Sequence, residues 1–196
     1  MQGYQRVAAY DDEMVHKMLN DERMITYEKK IRASIQNARA VVNVVQQYGS
    51  FRAYLDSFDW KDSPDNLMRL RNDLMWRFDW LGPITSFHFM MDIGLPILKP
   101  DRVIMRVFER LGLTQTRSES EENLLEVVRQ GLLFKEATGK PIRQIDIMFV
   151  SLGQVGGNSS DLGVTRGICL EKSPLCSECD LRDQCNFFKK LQPNPR

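Results

Sequence analysis

Apolar positions recur at intervals of three and four along most of this chain, and no strand-length run alternates apolar with polar. Over residues 27–47 the series Ile31, Ile35, Ala38, Val42 and Val45 predicts a long amphipathic helix, and residues 11–20 predict a shorter one before it. Gly49-Ser50 stops the long helix. Ser50 can then cap the next, whose buried side is Tyr54, Leu55 and Phe58. Residues 58–64, FDWKDSP, read as a polar loop, and Ser63-Pro64 opens a helix to about Trp80, since proline is favoured in a first turn. Trp80-Leu81-Gly82-Pro83-Ile84-Thr85-Ser86 reads as a tight turn between two helices, the second starting near Pro83. A stripe of Val103, Ile104, Val107, Phe108 and Leu111 predicts a helix after Pro100-Asp101, with Asp101 as N-cap. Residues 118–137 open with a capping-box spacing, Ser118 to Glu121, and Pro141 to Gly153 gives one more helix. The fold class that follows is all-α.

Composition narrows this to a helical protein without a membrane anchor. At 196 residues the chain can bury a substantial core, and its length fits one domain or two small lobes. It has no apolar run long enough to cross a bilayer and no signal-peptide pattern, so a cytoplasmic location is expected. The net charge is only +1. Any surface for nucleic acid must therefore be local rather than spread over the molecule.

The chemistry is concentrated near the C-terminus. Cys169, Cys176, Cys179 and Cys185 are the four cysteines of the chain, and they fall in CLEKSPLCSECDLRDQC with the spacing C-x6-C-x2-C-x5-C. Four thiols so close together, with none elsewhere, make a ligand set rather than a disulfide framework. Structural zinc sites pair their cysteines as two short knuckles, whereas here one C-x2-C is flanked by longer, unequal loops. The asymmetry favours a [4Fe–4S] cluster, with zinc as the alternative. A thiolate metal site also suits a reducing compartment.

This cysteine spacing resembles the cluster signature of the helix-hairpin-helix DNA glycosylases similar to endonuclease III and adenine DNA glycosylase. Upstream, Lys99-Pro100-Asp101-Arg102-Val103-Ile104-Met105-Arg106-Val107 is similar to that family's V-D-T-H-V-x-R-V helix, with Asp101 at the catalytic aspartate. Ile147 to Gly153 occupies the place of the helix end before the first cysteine, although an extra segment, Gly156 to Arg166, then intervenes. Asp11 to Asp59 resembles a different branch, 3-methyladenine DNA glycosylase I, through KIRASIQNARA and SFRAYLDSF. Members of that branch are not expected to carry the cluster.

The resemblance implies a helix-hairpin-helix core over residues 1–112 and a helical and cluster lobe over 113–196. In the family, two or three further helices precede the point where this sequence starts and form one wall of the base pocket. A partner chain or second copy completing that wall is therefore one expectation. The hairpin would grip double-stranded DNA through Gly82, Ile84 and Thr85, helped by free N–H groups at the start of the second helix. The family's G-x-G turn is represented only by Gly82. Bifunctional members place a Schiff-base lysine where this chain has Ile84, and residues 62–98 contain no lysine; Lys99 lies on the other side of the motif. The implied activity is release of a damaged or modified base by water, without strand cleavage, in the cytoplasm at the nucleoid. A non-catalytic DNA-binding subunit and a zinc-dependent interaction module are the alternative readings.

The remaining candidates are open to blander readings. His16 and His88 have no partner at metal-ligand spacing and read as structural. Trp60, Trp76 and Trp80, with Phe78, Phe87 and Phe89, could stack on a base or fill a core. Of the basic residues near the cysteines, Arg166, Lys172, Lys189 and Lys190, the best phosphate contact is Lys172, between the first two thiols.

Overall fold

The computed structural model of the chain describes residues 3–24, 26–157, 161, 163 and 165–192, and every regular element among them is helical. The all-α expectation therefore holds for the described residues. The chain divides into two units, one ending at Ser86 and one beginning at Phe87.

In the first unit α1 (Gly3–Ala8) and α2 (Asp12–Leu19) lie against α3 (Glu28–Tyr48), followed by α4 (Phe51–Asp56) and α5 (Pro64–Arg77). The periodicity of α3 places Ile31 and Ile35 against Val15, with Val7, Tyr10, Met18 and Leu19 packed around them. Gly49 closes α3 at φ 82°, a conformation open to glycine at little cost. Ser50 caps α4 by accepting from the Ala53 N–H at 3.0 Å, as the pattern predicted. Ser63 and Pro64 open α5 together, Ser63 Oγ accepting from the Asp65 N–H at 3.1 Å. The α5 helix ends at Arg77 rather than near Trp80. Asn37 explains this by clasping Asp79, two residues on, accepting from its N–H at 2.7 Å and donating to its carbonyl at 3.0 Å, so that the backbone leaves the helix.

The α6 helix (Thr85–Asp92) begins just before the division and starts two residues later than Pro83, where the sequence placed it. The second unit continues with α7 (Arg102–Leu111), α8 (Glu121–Thr138), α9 (Ile142–Gly153) and α10 (Asn186–Leu191). A triangle of rings from three helices, Phe108, Phe134 and Phe149, fixes its core, with centroids 5.1–6.0 Å apart. Gly153 lets α9 approach α7 closely, because a Cβ there would strike the Val103 and Val107 side chains. Ser120, not Ser118, caps α8, accepting from the Asn123 N–H at 3.4 Å, while Ser118 Oγ pairs with Ser120 Oγ. The short helices α1 and α10 had no signal in the hydrophobic pattern. Of the inserted segment 156–166, residues 158–160, 162 and 164 lie outside the described residues.

Candidate functional site

In the first unit the turn after α5 is held from beneath by a buried arginine. Arg71, only 1% exposed, donates from Nε and Nη2 to the Pro83 carbonyl at 3.2 and 2.9 Å, and Ser86 Oγ donates to the same oxygen at 3.2 Å. Thr85 Oγ1 accepts from the Gly82 N–H at 2.7 Å. That N–H is therefore satisfied, while those of Ile84 and Thr85 carry no hydrogen bond among the described residues. Ahead of the turn Trp80 sits at φ 65°, a conformation that costs a bulky residue strain. Its ring is 54% exposed, meets the edge of Tyr27 at 5.9 Å and lies under Lys30 Nζ at 5.6 Å. Of the other aromatics, Phe78 and Phe87 are buried core residues, whereas Trp76 is open to solvent.

In the second unit Asp101 caps α7 as the sequence predicted, its Oδ1 accepting from the N–H groups of Val103 and Ile104 at 2.9 and 3.0 Å. Its Oδ2 faces Lys99 Nζ at 3.2 Å. The sequence had set Lys99 aside as lying on the wrong side of the motif; the Asp101 N–H donates to the Lys99 carbonyl at 2.9 Å, and this tight bend brings the two side chains together. Both are three-quarters or more buried. The charges of both act on Asp146 of α9, a buried residue with no sequence signal. Burial pushes the Asp146 carboxyl above the usual carboxylate range, Lys99 opposing the shift and Asp101 adding to it. His88 pairs with Asp92 across one turn of α6 at 3.4 Å.

The four cysteines line one cavity at the end of α9, with apolar walls that include Val107, Leu152, Ile168 and Phe187. The N–H groups of Ile168 and Cys169 both donate to the Leu152 carbonyl, at 2.8 and 2.9 Å, which ties the loop to that helix end. Two buried arginines of α7 hold the same loop. Arg106 donates to the carbonyls of Gly153 and Cys169, and Arg110 to those of Cys169, Leu170 and Glu171 and, at 3.4 Å, to the Cys169 sulphur. The Arg110 guanidinium also lies 4.4 Å above the Phe187 ring. Burial raises the thiol of Cys176 above its ordinary range, and the other three thiols raise it further, as ionised sulphurs around one cavity must. Burial raises Cys179 too, opposed by a hydrogen bond from the Leu181 N–H. Among the described residues no three His, Cys, Asp or Glu side chains are placed to hold a single metal ion. The donor set, four thiols facing an apolar cavity, suits a cluster that bridges them. Lys172 stands exposed in the loop between the first two thiols, next to Ser173 at φ 50°.

Residues 3–97, which include the hairpin turn, match the family model of methyladenine glycosylase. Endonuclease III of Thermotoga maritima is 29% identical over 97 residues, covering 48% of this chain. The chain is related to the helix-hairpin-helix DNA glycosylases. It spans about a third of the length of that curated relative, the alignment covering 36% of it. No solved structure matches the chain. The glycosylase family match ends just before the Lys99–Asp101 pair and well before the cysteines. Arg71, Arg106, Arg110 and Asp146 were missed in the sequence because charged residues are ordinarily surface residues. Only their place on the apolar side of α5, α7 and α9 could have marked them.

Proposed function

We propose that this chain is a DNA glycosylase that releases a damaged or modified base from double-stranded DNA by hydrolysis of the N-glycosidic bond. The observation that carries this reading is the match of residues 3–97 to methyladenine glycosylase, with Asp101 capping the helix that follows. A carboxylate fixed by two backbone N–H groups can stabilise positive charge developing on the sugar as the base leaves, and can orient the attacking water. Lys99 pairs with Asp101 at 3.2 Å, and Ile84 stands where bifunctional members place their Schiff-base lysine, which supports a monofunctional reaction.

The turn at Gly82, Ile84 and Thr85 serves as the phosphate-binding hairpin, with the N–H groups of Ile84 and Thr85, which carry no hydrogen bond among the described residues, as donors. Lys172 adds a phosphate contact. In the lobe of residues 113–196, Cys169, Cys176, Cys179 and Cys185 hold a [4Fe–4S] cluster. When bound, such a cluster would cross-link four points of this loop, adding to its ties to Arg106, Arg110 and the Leu152 carbonyl. The spacing and the cavity that the four cysteines share support it over zinc. A thiolate cluster fits a reducing, DNA-containing compartment.

Single-turnover base release from a panel of lesion-bearing duplexes tests the reading. The wild type should release at least one base and leave the strand intact, and Asp101→Asn should bind the same duplex but lose release. Full release by the Asn variant, or none by the wild type from any lesion, would overturn it.

A further inference from the structure

Trp80 combines two features that the fold alone gives no reason to keep together. Its backbone sits at φ 65°, and more than half of the residue is exposed. Among the described residues the other non-glycine residues at positive φ are Asp59 and Ser173, both small and polar, whereas a bulky side chain there is strained. Two ties hold the strained residue in place. Asn37 of α3 clasps Asp79 before it, and Thr85 Oγ1 of the hairpin turn donates to the Trp80 carbonyl at 3.2 Å. The ring meets Tyr27 edge-on, with the two planes at 90°, and Lys30 Nζ lies 5.6 Å from its centroid. Lys30 is exposed in the first turn of α3 and forms no ion pair among the described residues, while the carboxylate of that turn, Glu28, is paired with Arg32 at 2.7 Å. Trp76 is more exposed still, but it sits on the helical backbone of α5, where a tryptophan costs no such strain.

We propose that Trp80, with Tyr27 at its edge and Lys30 beside it, is a stacking site for one unpaired nucleobase of the DNA that the hairpin holds. The exposed indole supplies a flat apolar face, and Lys30 supplies positive charge for the phosphate of the same nucleotide. Tyr27 and the two backbone ties hold the ring before the base arrives, so little side-chain freedom is lost on binding. Every base has a face that stacks, so this site selects unpaired over paired DNA and reads no sequence. The inference rests on the reading of the Gly82 to Thr85 turn as a DNA-binding hairpin; it does not rest on base release.

Fluorescence anisotropy on the whole chain compares two labelled duplexes, one with a single unpaired adenine and one with a tetrahydrofuran residue, which lacks the base, at the same place. The wild type should bind the first about tenfold tighter, the scale of one stacked base. Trp80→Gly should remove that preference and melt no lower than the wild type, because glycine relieves the strain at this φ. Trp80→Phe should keep part of the preference and Trp76→Phe all of it. Lys30→Gln should weaken binding and flatten the salt slope by about 1. With Trp60 and Trp76 replaced by phenylalanine, Trp80 is the one tryptophan left, and the unpaired adenine should quench its fluorescence where the tetrahydrofuran duplex does not. Equal affinity of the wild type for the two duplexes, or a preference that survives Trp80→Gly, overturns the proposal. A Trp80→Gly protein that melts well below the wild type makes the ring part of the fold and overturns it as well. Binding to neither duplex rejects the hairpin reading and this site with it, whereas a clear preference in a protein that releases no base upholds the site and rejects base release.

Discussion

Arg71 shows how much a single buried side chain can carry. Its guanidinium is out of water and fans onto the Pro83 carbonyl, so the turn before α6 depends on donors that a neutral side chain cannot supply. Arg71→Met, nearly as long but without donors, should lower the unfolding free energy by about 2 kcal/mol in denaturant titrations, from the carbonyl left with fewer donors. It should also weaken DNA binding, because the turn that carries the N–H groups of Ile84 and Thr85 loses its hold. Asp146 gives a second prediction at this scale. Its folded-state carboxyl titrates above the unfolded one, so the folded form holds the proton more tightly. That contribution to stability is present below the unfolded value and is lost as pH rises through the folded one. Asp146→Asn, neutral throughout, should gain stability relative to the wild type as pH rises across that window. Melting curves of the two proteins at a series of pH values check this, and a constant difference would contradict it.

Helices pack here through a few close approaches that their own periodicity does not announce. Gly153 ends α9 where a Cβ would meet Val103 and Val107 of α7, and the same helix end presents the Leu152 carbonyl to Ile168 and Cys169. Gly153→Val should therefore separate α9 from α7, costing about 1–3 kcal/mol in chemical denaturation and loosening the cysteine loop with it. Iron content per chain reads the second effect. The purified wild type should be brown and hold about four irons with matching sulphide. Cys176→Ser should bleach it, and Gly153→Val should hold less iron than the wild type. A colourless wild type with one zinc would replace the cluster by the alternative metal.

The whole molecule carries a net charge of +1, too little to draw DNA by its overall field. Affinity must come from local contacts at the hairpin and around the cysteines, and it should still fall linearly with the logarithm of salt concentration, because phosphates release counterions on binding. Lys172→Glu should weaken all duplexes alike and flatten the salt slope by about 1, measured by fluorescence anisotropy over a salt series. Affinity indifferent to salt would remove the proposed surface. Much of this molecule was legible before any coordinates, where one stretch of chain sufficed. Ser50, Ser63-Pro64 and Asp101 start helices through bonds to N–H groups two or three residues away, and the apolar spacing of 27–47 states which face of α3 is buried. The four cysteines lie within seventeen residues of one another, so their meeting at one cavity was legible from proximity in sequence. Other features were decided by segments distant in sequence. Asn37 ends α5 from forty-two residues away, and Arg106 and Arg110 of α7 are buried because they satisfy carbonyls of a loop some sixty residues further on. Asp146 is buried and feels the charges of Lys99 and Asp101 because α9 packs on α7. Capping and periodicity are short-range and are written in the order of residues, whereas the burial of a charge depends on which partner the fold brings to it, and the order of residues does not hold that information.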